Sequence, residues 1–385
     1  MSKKVIVSGA SGQDGSYMIE YLLKNTDFFI VGTMRRTSQA ILSNLKDVIS
    51  NPRLKLVTMD LNDPHSIEGV ISSELPDYFI NFGAQTFVAD SWTSPASHMQ
   101  TNAVSIIHIL ESIRKHTPNC RVYSSGSSEQ WGDVKYSPQD EKHPMSPRSV
   151  YGASKCAAAH ICKIYRESYN MYIVHGTLLN HESERRQDYF VSRKITKGVA
   201  RIYHAIKNGW DFEPIEIGNL DAYRDWSHAL DFVEGIWKML HQEKCREDLQ
   251  KHLITRDIKP SSFWADKIKE YVLSSNEKHQ VRELIEVAFN EAGIKGYWSF
   301  SGMIGNTAYP EHEVFREYKE EDGRRIGLNT IFVKVNPKFY RPAEVGLLHG
   351  DSTLARIELK WEPKISFDEL IKNMVKNDIA TYTSQ

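Results

Sequence analysis

The chain has 385 residues, of which 41% are hydrophobic and 25% are charged, as is ordinary for a soluble globular protein. Its 48 basic and 49 acidic residues leave a net charge of -1, which provides no sequence-wide electrostatic basis for binding nucleic acid or a membrane surface. The four cysteines form no CxxC pair and the 15 histidines include no HExxH motif, so we expect neither a disulfide framework nor a metal site. We expect a cytoplasmic protein, because a strand-like run follows Met1 too closely for a signal peptide and no apolar run approaches the length of a membrane span.

The N-terminal segment predicts a strand, a glycine turn and a helix in that order. The apolar run Val5–Ser8 precedes a GxxGxxG turn, and Tyr17, Ile19 and Leu22 then recur at helical spacing. Such a turn exposes backbone N–H groups at a helix N-terminus, where a pyrophosphate binds, although a turn that only packs a helix would also suit these glycines. The residues that we expect to bind a dinucleotide here are Gly9, Ser11, Gly12, Gln13, Asp14 and Gly15.

The second predicted strand, Phe28–Thr33, is followed by Arg35 and Arg36. A protein that binds NAD usually carries an acidic residue at this point, whereas arginine suits the 2′-phosphate of NADP. We therefore expect NADP as the cofactor. The alternative is that both arginines are solvated on a loop.

The next two predicted strands also end in candidate cofactor contacts. Leu54–Met59 ends at an acidic segment that we expect beside the adenine, and Tyr78–Gln85 contains small residues that allow the backbone to approach a ligand. The candidates are Asp60, Leu61, Phe82, Gly83, Ala84 and Gln85.

The alternation of strands and helices predicts an α/β fold with a Rossmann-like, doubly wound parallel sheet and a smaller α/β substrate-binding lobe at the C-terminal end. We expect the NADP-binding domain over residues 1–180, with segments near 215–242 returning to it, and the sugar-nucleotide-binding lobe mainly over 181–385. The charged stretch 243–269 reads as a surface insertion. Residues 298–320 show no clear period and have no assignment.

The remaining helices and strands are predicted from shorter patterns. They are a helix over Ser97–His116, a strand at Arg121–Tyr123, a helix from Tyr151 to Tyr169, a strand over Tyr172–Leu179, helices over Arg193–Asn208 and Val281–Ala292, and a strand at Phe332–Val335.

The candidate catalytic residues lie between the strand at Arg121–Tyr123 and the following helix. Ser127 and Glu129 follow the strand, and Tyr151 and Lys155 are four residues apart on one helix face. An ammonium beside a phenol favours the phenolate, so we expect Lys155 to lower the pKa of Tyr151 towards neutrality and Tyr151 to exchange a proton with a sugar hydroxyl. The same YxxxK pattern at Tyr203 is most simply a packing tyrosine followed by a solvated lysine.

These motifs make the chain resemble the extended short-chain dehydrogenase/reductases, and within them the GDP-mannose 4,6-dehydratase family. The resemblance covers most of the chain except 243–269 and 298–320. The matching pieces are Gly9–Ser16, Arg35-Arg36, Ser128-Glu129, Pro147–Ser149, Tyr151 with Lys155, Tyr165–Tyr169, Asn180–Ser183, Arg193–Thr196, Arg224–Trp226 and Arg341–Val345.

The resemblance implies dehydration of a GDP-linked hexose with NADP as the cofactor. Tyr151, Lys155 and Ser127 would support oxidation at C4, and Glu129 would remove the C5 proton before water leaves from C6. His181 and Arg186 match contacts to the cofactor, and we also expect Tyr151 and Lys155 to contact it, with Lys155 holding the nicotinamide ribose. The residues that match contacts to the sugar nucleotide are Ser127, Asn180, Lys194, Arg224, Arg341 and Glu344.

Two residues depart from the family pattern. Ser127 stands where threonine is usual, which keeps the hydroxyl but loses the methyl group that restricts its rotamer, and Val150 stands where proline is usual. These changes leave open the same reaction on a GDP-manno-heptose. Two other functions also remain open: a C4 reductase or epimerase of a nucleotide sugar, which would not need Glu129, and a non-catalytic NADP-binding regulatory protein.

The resemblance also implies a homo-oligomer, either a dimer or a tetramer. We expect subunits to pair through two helices, using Ile106, Ile107 and Ile113 on one and the small residues Ala157–Ala159 on the other.

Overall fold

The computed structural model describes residues 2–36, 42–245, 267–300, 313–321, 324–340 and 343–383. Strands are numbered in chain order: β1 Lys4–Ser8, β2 Phe29–Met34, β3 Leu54–Thr58, β4 Tyr78–Asn81, β5 Arg121–Ser125, β6 Ile173–Leu178, β7 Asn180–Glu182, β8 Ile215–Ile217, β9 Tyr223–Arg224, β10 Trp226–His228, β11 Val272–Leu273, β12 His279–Gln280, β13 Gly296–Phe300, β14 Glu313–Glu321 and β15 Arg324–Val335.

The α-helices are numbered in the same way: α1 Gln13–Asn25, α2 Pro64–Glu74, α3 Pro95–Met99, α4 Ser105–His116, α5 Val150–Tyr169, α6 Val191–Asn208, α7 Ala229–Met239, α8 Val281–Glu291, α9 Thr353–Leu359 and α10 Phe367–Ala380. Shorter turns are a π-helical turn, Gln100–Val104, and the 3₁₀ turns Ser43–Leu45, Val88–Trp92, Ser128–Gln130 and Pro337–Phe339. No helix in the described part of the chain is long and apolar enough to cross a membrane.

The central sheet has seven strands in the order β3-β2-β1-β4-β5-β6-β11, and every pairing in it is parallel. Val5, Ile6 and Val7 of β1 are all fully buried, as expected for an inner parallel strand with helices on both faces. The order of β3 to β6 is that of a dinucleotide-binding fold, so the predicted doubly wound sheet is confirmed.

Helices cover both faces of this sheet. On one face Met18 and Leu22 of α1 pack with Phe232 and Ile236 of α7. On the other face a second apolar cluster joins α2, α4 and α5 to the strands. Because α7 and β11 both pack with the first six strands, late segments of the chain complete the early fold.

A smaller sheet, in the order β13-β14-β15-β8, has its own core. Ile195 and Val199 of α6, Leu284 of α8 and Ile371 of α10 lie in that core with Phe332 of β15. The described parts of 298–320, which had no assignment, form the end of β13 and most of β14.

Some predicted boundaries are wrong. Strand β4 ends at Asn81, so Phe82–Gln85 is a loop. The predicted helix Ser97–His116 contains the π-helical turn, in which Asn102 bonds both the backbone N–H and the backbone C=O of Gln85 at 2.9 Å. Most of the predicted insertion 243–269 lies outside the described residues, and Ile268 at its described end is buried in the core.

The side chains expected to join subunits are mostly used within the chain. Ile106, Ile113 and Ala158 belong to the core cluster that joins α2, α4 and α5, and Ala159 is also buried. Ile106 and Ile113 point inward because they lie on the apolar face of α4 that covers the sheet. The proposed contact residues therefore need correction.

Candidate active site

A cavity of ≈ 700 Å³ opens at the carboxyl ends of the central strands, where ligands bind in open α/β sheets. It extends to residues of the smaller sheet's core, such as Ile217 and Val281. The sequence-predicted residues that line it are Asp14, Phe82, Ala84, Ser127, Glu129, Tyr151, Lys155, Asn180, His181, Arg186, Lys194, Arg224 and Glu344.

The glycine turn after β1 is closely packed against its neighbours. Gly9 has φ +69°, and a Cβ atom there would lie 3.0 Å from the backbone nitrogen of Gly83. A Cβ atom on Gly15 would lie 2.2 Å from the carbonyl oxygen of Gly9. Only glycine fits these two positions, and the turn presents the N-terminus of α1 (N-cap Gly12) as an anion site, so these residues fit a dinucleotide pyrophosphate.

Asp14 and His181 form a charged pair that joins this turn to β7. The carboxylate of Asp14 lies 3.0 Å from Nε2 of His181. Burial by itself would raise the pKa of Asp14, but the charge and hydrogen bond of His181 outweigh it and lower the pKa. Burial would likewise lower the pKa of His181, but Asp14 raises it, so the pair favours an ionised carboxylate beside an imidazolium.

The side chain of Gln13 is engaged in hydrogen bonds within the protein, so it does not point freely towards a ligand. Its amide donates to the backbone oxygen of His181 at 3.0 Å and accepts from the Ser183 hydroxyl at 2.8 Å. The backbone oxygen of Ser11 accepts from Asn44 at 3.0 Å. Both residues lie in the turn, and their side-chain and carbonyl contacts hold it in place.

The candidates for the adenine end lie at the carboxyl ends of β2 and β3. Arg35 and Arg36 follow β2 directly and are exposed, and Asp60 and Leu61 follow β3. Gly83 is close to both the glycine turn and Leu61, since its Cβ atom would lie 2.6 Å from the Leu61 side chain. These residues lie outside the lining of the large cavity.

Ser127 and Glu129 are held in the 3₁₀ turn that follows β5. Ser127 is its N-cap: its hydroxyl accepts from the backbone N–H of Glu129 at 3.3 Å, and its own N–H donates to Oε1 of Gln130 at 2.8 Å. The Ser127 hydroxyl is close enough to Tyr151 to act on the pKa of the phenol, which it lowers. The loop therefore places a hydroxyl and a carboxylate beside the phenol.

Tyr151 and Lys155 lie in the first two turns of α5, which starts at the N-cap Ser149. Burial raises the pKa of Tyr151 to about 12, while the Ser127 hydroxyl opposes that rise. Lys155 donates to the backbone oxygen of Ser125 at 2.9 Å, and its nitrogen is 5.9 Å from the centre of the Tyr151 ring. The expectation that Lys155 brings the pKa of Tyr151 towards neutrality is therefore wrong for this arrangement, because burial dominates.

Burial lowers the pKa of Lys155 to about 8, partly offset by Asp14. Lys155 is thus mostly protonated at neutral pH and remains a cation at the floor of the cavity.

Candidate substrate contacts lie on the far side of the cavity. Arg224 donates to Glu344 at 3.1 Å, and Nζ of Lys194 lies 3.5 Å from the centre of the Phe339 ring. The side-chain oxygen of Asn180 is buried without a hydrogen-bond partner among the described residues, so it is available to a ligand. Arg341 lies outside the described residues.

Sequence reasoning missed an aromatic group at the cavity mouth. The ring of Phe87 lies 4.7 Å from that of Tyr189 and 5.8 Å from that of Phe190, measured between centroids. Trp92 and Tyr340 also line the cavity. Tyr189 and Phe190 follow the motif Asn180–Ser183 closely, and this position in the sequence could have indicated that they lie near the site. Their partner Phe87 is about a hundred residues earlier in the chain, so no local pattern connects it to them.

Known proteins match this chain over nearly its whole length. A sequence profile of the family described as GDP-mannose 4,6 dehydratase matches residues 6–256 and 261–374. The GDP-mannose 4,6 dehydratase of Drosophila melanogaster is 36% identical over 385 residues, covering 98% of this chain and 86% of that protein. The Homo sapiens protein of the same name is 34% identical over 382 residues, covering 97% and 91%.

Solved structures with low identity share the fold. The dTDP-glucose 4,6-dehydratase of Bacillus anthracis, in complex with NAD, superposes with a TM-score of 0.69 at 17% identity, covering 97% of this chain and 96% of that one. RMD from Pseudomonas aeruginosa, complexed with NADPH, has a TM-score of 0.69 at 18% identity and covers 99% and 100%.

The parallel sheet with its glycine turn, and Tyr151 with Lys155 at the sheet's carboxyl edge, define an extended short-chain dehydrogenase/reductase. Within that class, the profile and the full-length relatives narrow the assignment. The chain belongs to the GDP-mannose 4,6-dehydratase family.

Proposed function

We propose that this protein is a hydro-lyase that converts GDP-mannose to GDP-4-keto-6-deoxymannose with the help of NADP. The observation that carries the proposal is the shared cavity of Glu129, Tyr151 and Lys155. A reductase or epimerase at C4 needs the tyrosine and the lysine, but elimination of water across C5–C6 also needs a base. A carboxylate in the same cavity supports that further step.

Each side chain has a distinct part in the proposed reaction. Tyr151 takes the proton of the C4 hydroxyl as a phenolate. Burial raises its pKa to about 12, so forming the phenolate depends on the positive charge of Lys155 and on the charge that an oxidised nicotinamide would add when bound. The new C4 ketone makes the C5 proton acidic, and Glu129 removes it and passes it to the C6 hydroxyl, which leaves as water. The proton taken from the C4 hydroxyl balances the one that returns to C5 when hydride reaches C6. A nicotinamide held in this cavity would supply the transfer of hydride from C4 to C6 that the reaction needs.

NADP is the proposed form of the cofactor. Arg35 and Arg36 are exposed at the end of β2, where a 2′-phosphate would lie, and a guanidinium pairs with phosphate through two hydrogen bonds. The glycine turn, the N-terminus of α1, Asp60, Leu61 and the Phe82–Gln85 loop would hold the dinucleotide, with His181 and Arg186 at the nicotinamide side. The partly buried pair of Asp14 and His181 supports this by joining the turn to β7.

The GDP-sugar would lie across the cavity towards the smaller sheet. Asn180, Lys194, Arg224, Arg341 and Glu344 are the proposed contacts, with the arginines facing the diphosphate. Among the described residues, the buried side-chain oxygen of Asn180 has no hydrogen-bond partner, and this supports a polar ligand at that point. The volume of ≈ 700 Å³ leaves a GDP-manno-heptose as the second candidate substrate.

We further propose two lobes: residues 1–180 with later segments forming the NADP-binding domain, and the rest of 181–385 mainly holding the sugar nucleotide. The apolar core of the smaller sheet, which is separate from the clusters on the two faces of the central sheet, supports this division. A homo-oligomer is also proposed, through surfaces other than Ile106 and Ile113, such as the exposed Ile164 on α5. Light scattering at micromolar concentration tests it, and a monomer would contradict it.

The reaction is tested with GDP-mannose deuterated at C4. We expect the product to have lost water and to carry the label at C6, because the hydride that leaves C4 returns within one turnover. GDP-manno-heptose, UDP-glucose and CDP-glucose are run beside it. Product without loss of water, or faster turnover of UDP-glucose, would reject the proposed reaction or its substrate class.

A further inference from the structure

A buried polar network lies behind the loop that carries Ser127 and Glu129. His175 is on β6, directly opposite Ser124 of β5 in the sheet register. Its Nδ1 lies 3.2 Å from the Ser124 hydroxyl and its Nε2 lies 3.1 Å from Oε1 of Gln130. Both His175 and Gln130 are 1% exposed, so this network is closed to solvent and lies outside the cavity lining.

The contacts determine where the protons are. The backbone N–H of Ser127 can only donate, and it donates to Gln130 at 2.8 Å, so the Gln130 atom that it meets is the acceptor Oε1. His175 must therefore donate to the same oxygen from Nε2, and its Nδ1 accepts from the Ser124 hydroxyl. Burial, with the charges of Lys155 and Arg166, lowers the pKa of His175 to about 3, so the imidazole is neutral as this pattern requires.

The network also accounts for Gly126. A Cβ atom on Gly126 would lie 2.7 Å from Nε2 of His175 and 2.8 Å from Oε1 of Gln130. Any side chain at this position would displace one of the two groups. The glycine thus allows the histidine and the glutamine to meet directly under the loop.

Ser127 transmits this contact to the cavity. Its N–H is held by Gln130, its hydroxyl accepts from the N–H of Glu129 at 3.3 Å, and Ser127, Glu129 and Tyr151 line the same cavity. We propose that His175 is a positioning residue for the reaction, acting through Gln130 to set the placement of Ser127 and Glu129 relative to Tyr151. The proposal rests on the dehydration proposed above, since it assigns a role within that reaction.

The test compares His175→Phe, which keeps the bulk but removes the donor, with His175→Gln, whose amide nitrogen can reach the same acceptor. We expect His175→Phe to lower kcat on GDP-mannose by about tenfold with KM within about twofold, because the reacting groups are misplaced while binding contacts remain. His175→Gln should recover kcat to within about threefold of the unmutated enzyme.

The matched control is His241→Phe. His241 is also a partly buried histidine that bonds a hydroxyl, that of Tyr78 at 2.9 Å. Tyr78 is the first residue of β4, so this contact lies at the amino ends of the strands, away from the cavity at their carboxyl ends. We expect its kcat to stay within about twofold. If His241→Phe lowers kcat as much as His175→Phe, the effect is general destabilisation and the proposal fails.

Gln130→Leu provides a second route if His175→Phe does not fold. It removes the shared acceptor, so it should lower kcat by at least as much as His175→Phe. The double variant, His175→Phe with Gln130→Leu, should have a kcat within about twofold of that of Gln130→Leu alone, because both substitutions act through one oxygen atom. Multiplied losses in the double variant would overturn the proposal.

Amide hydrogen exchange separates this proposal from the proposed function. Exchange in the segment 124–131 should be about tenfold faster in His175→Phe and Gln130→Leu and near normal in His175→Gln. If exchange in 124–131 is unchanged in His175→Phe and Gln130→Leu, the proposal that His175 positions this loop is rejected, even if the enzyme is active. If the unmutated protein does not dehydrate any GDP-sugar but the exchange pattern holds, the network stands as a structural feature and its catalytic role is rejected with the function.

Discussion

Glu129 is the side chain that separates a dehydratase from a simple oxidoreductase in this cavity. Glu129→Gln keeps the size and a hydrogen bond but removes the base, so elimination should fall by about 10²-fold or more. Oxidation at C4 uses Tyr151, Ser127 and Lys155, and it should continue. We expect the absorbance of reduced nicotinamide to build up on the enzyme when GDP-mannose is added.

Tyr151→Phe is the matched comparison for this experiment. It removes the hydroxyl that takes the C4 proton, so neither reduced nicotinamide nor product should form. A Glu129→Gln enzyme that eliminates water at the normal rate would show that another group is the base.

The buried His175 predicts a pH dependence of stability. Its pKa is lowered from 6.5 to about 3 in the folded chain, so the unfolded chain binds more protons between these values and the folded state loses stability as pH falls. Relative to His175→Gln, the unmutated protein should lose about 1.4 kcal/mol per pH unit below pH 6.5. Denaturant unfolding of both at pH 7.5 and pH 5 measures it, and a constant difference between them would mean that His175 does not titrate in this way.

At the scale of elements, a buried ion pair joins α6 to α10. Arg193 of α6 pairs with Asp378 of α10, and their side chains are only 7% and 1% exposed. Removing one charge leaves the other buried and unpaired, so Asp378→Asn should lower the free energy of unfolding by about 3 kcal/mol. Lys194 follows Arg193 on α6, so Asp378→Asn should also weaken the binding of a GDP-sugar.

Asp368→Asn is the control within the same helix. Asp368 pairs with Lys372 at 3.4 Å, but its side chain is 60% exposed. Exposed pairs contribute little, so its thermal unfolding should match that of the unmutated protein. Equal losses for the two variants would show that the buried pair has no special part in joining the helices.

At the scale of the whole molecule, the residues proposed to hold the cofactor extend from the exposed arginines after β2 to the cavity at the carboxyl ends of β5 and β6. We expect the Kd for NADP⁺ to be lower than that for NAD⁺ by about tenfold or more, because hydrogen bonds to a charged phosphate each contribute about 1.5–3 kcal/mol. Arg35→Ala with Arg36→Ala should remove most of this preference. Arg114→Ala, an exposed arginine on α4, should leave it unchanged.

Binding titrations of both cofactors measure this preference. Equal or tighter binding of NAD⁺ by the unmutated protein would contradict the choice of NADP. The reaction itself would remain possible, since both forms transfer hydride.

The sequence alone determined the features that depend on local spacing. The run Val5–Ser8 and the glycines after it predicted β1, the turn and α1, because apolar runs and glycine spacing restrict the backbone over a few residues. Tyr151 and Lys155 were recognised in the same way, since a spacing of four places both on one face of α5. Parallel strands followed from the alternation of strands and helices, and the observed strand order agrees.

Only the tertiary structure decided which distant groups meet. Asp14 contacts His181 across 167 residues, and His175 contacts Gln130 across 45. Sheet register selects these partners by setting His175 opposite Ser124, and no local pattern encodes register between strands that are far apart in the chain. The pKa of Tyr151 was misjudged for the same reason: spacing shows that Lys155 is near, but burial and the bond from Lys155 to Ser125 exist only in the folded chain.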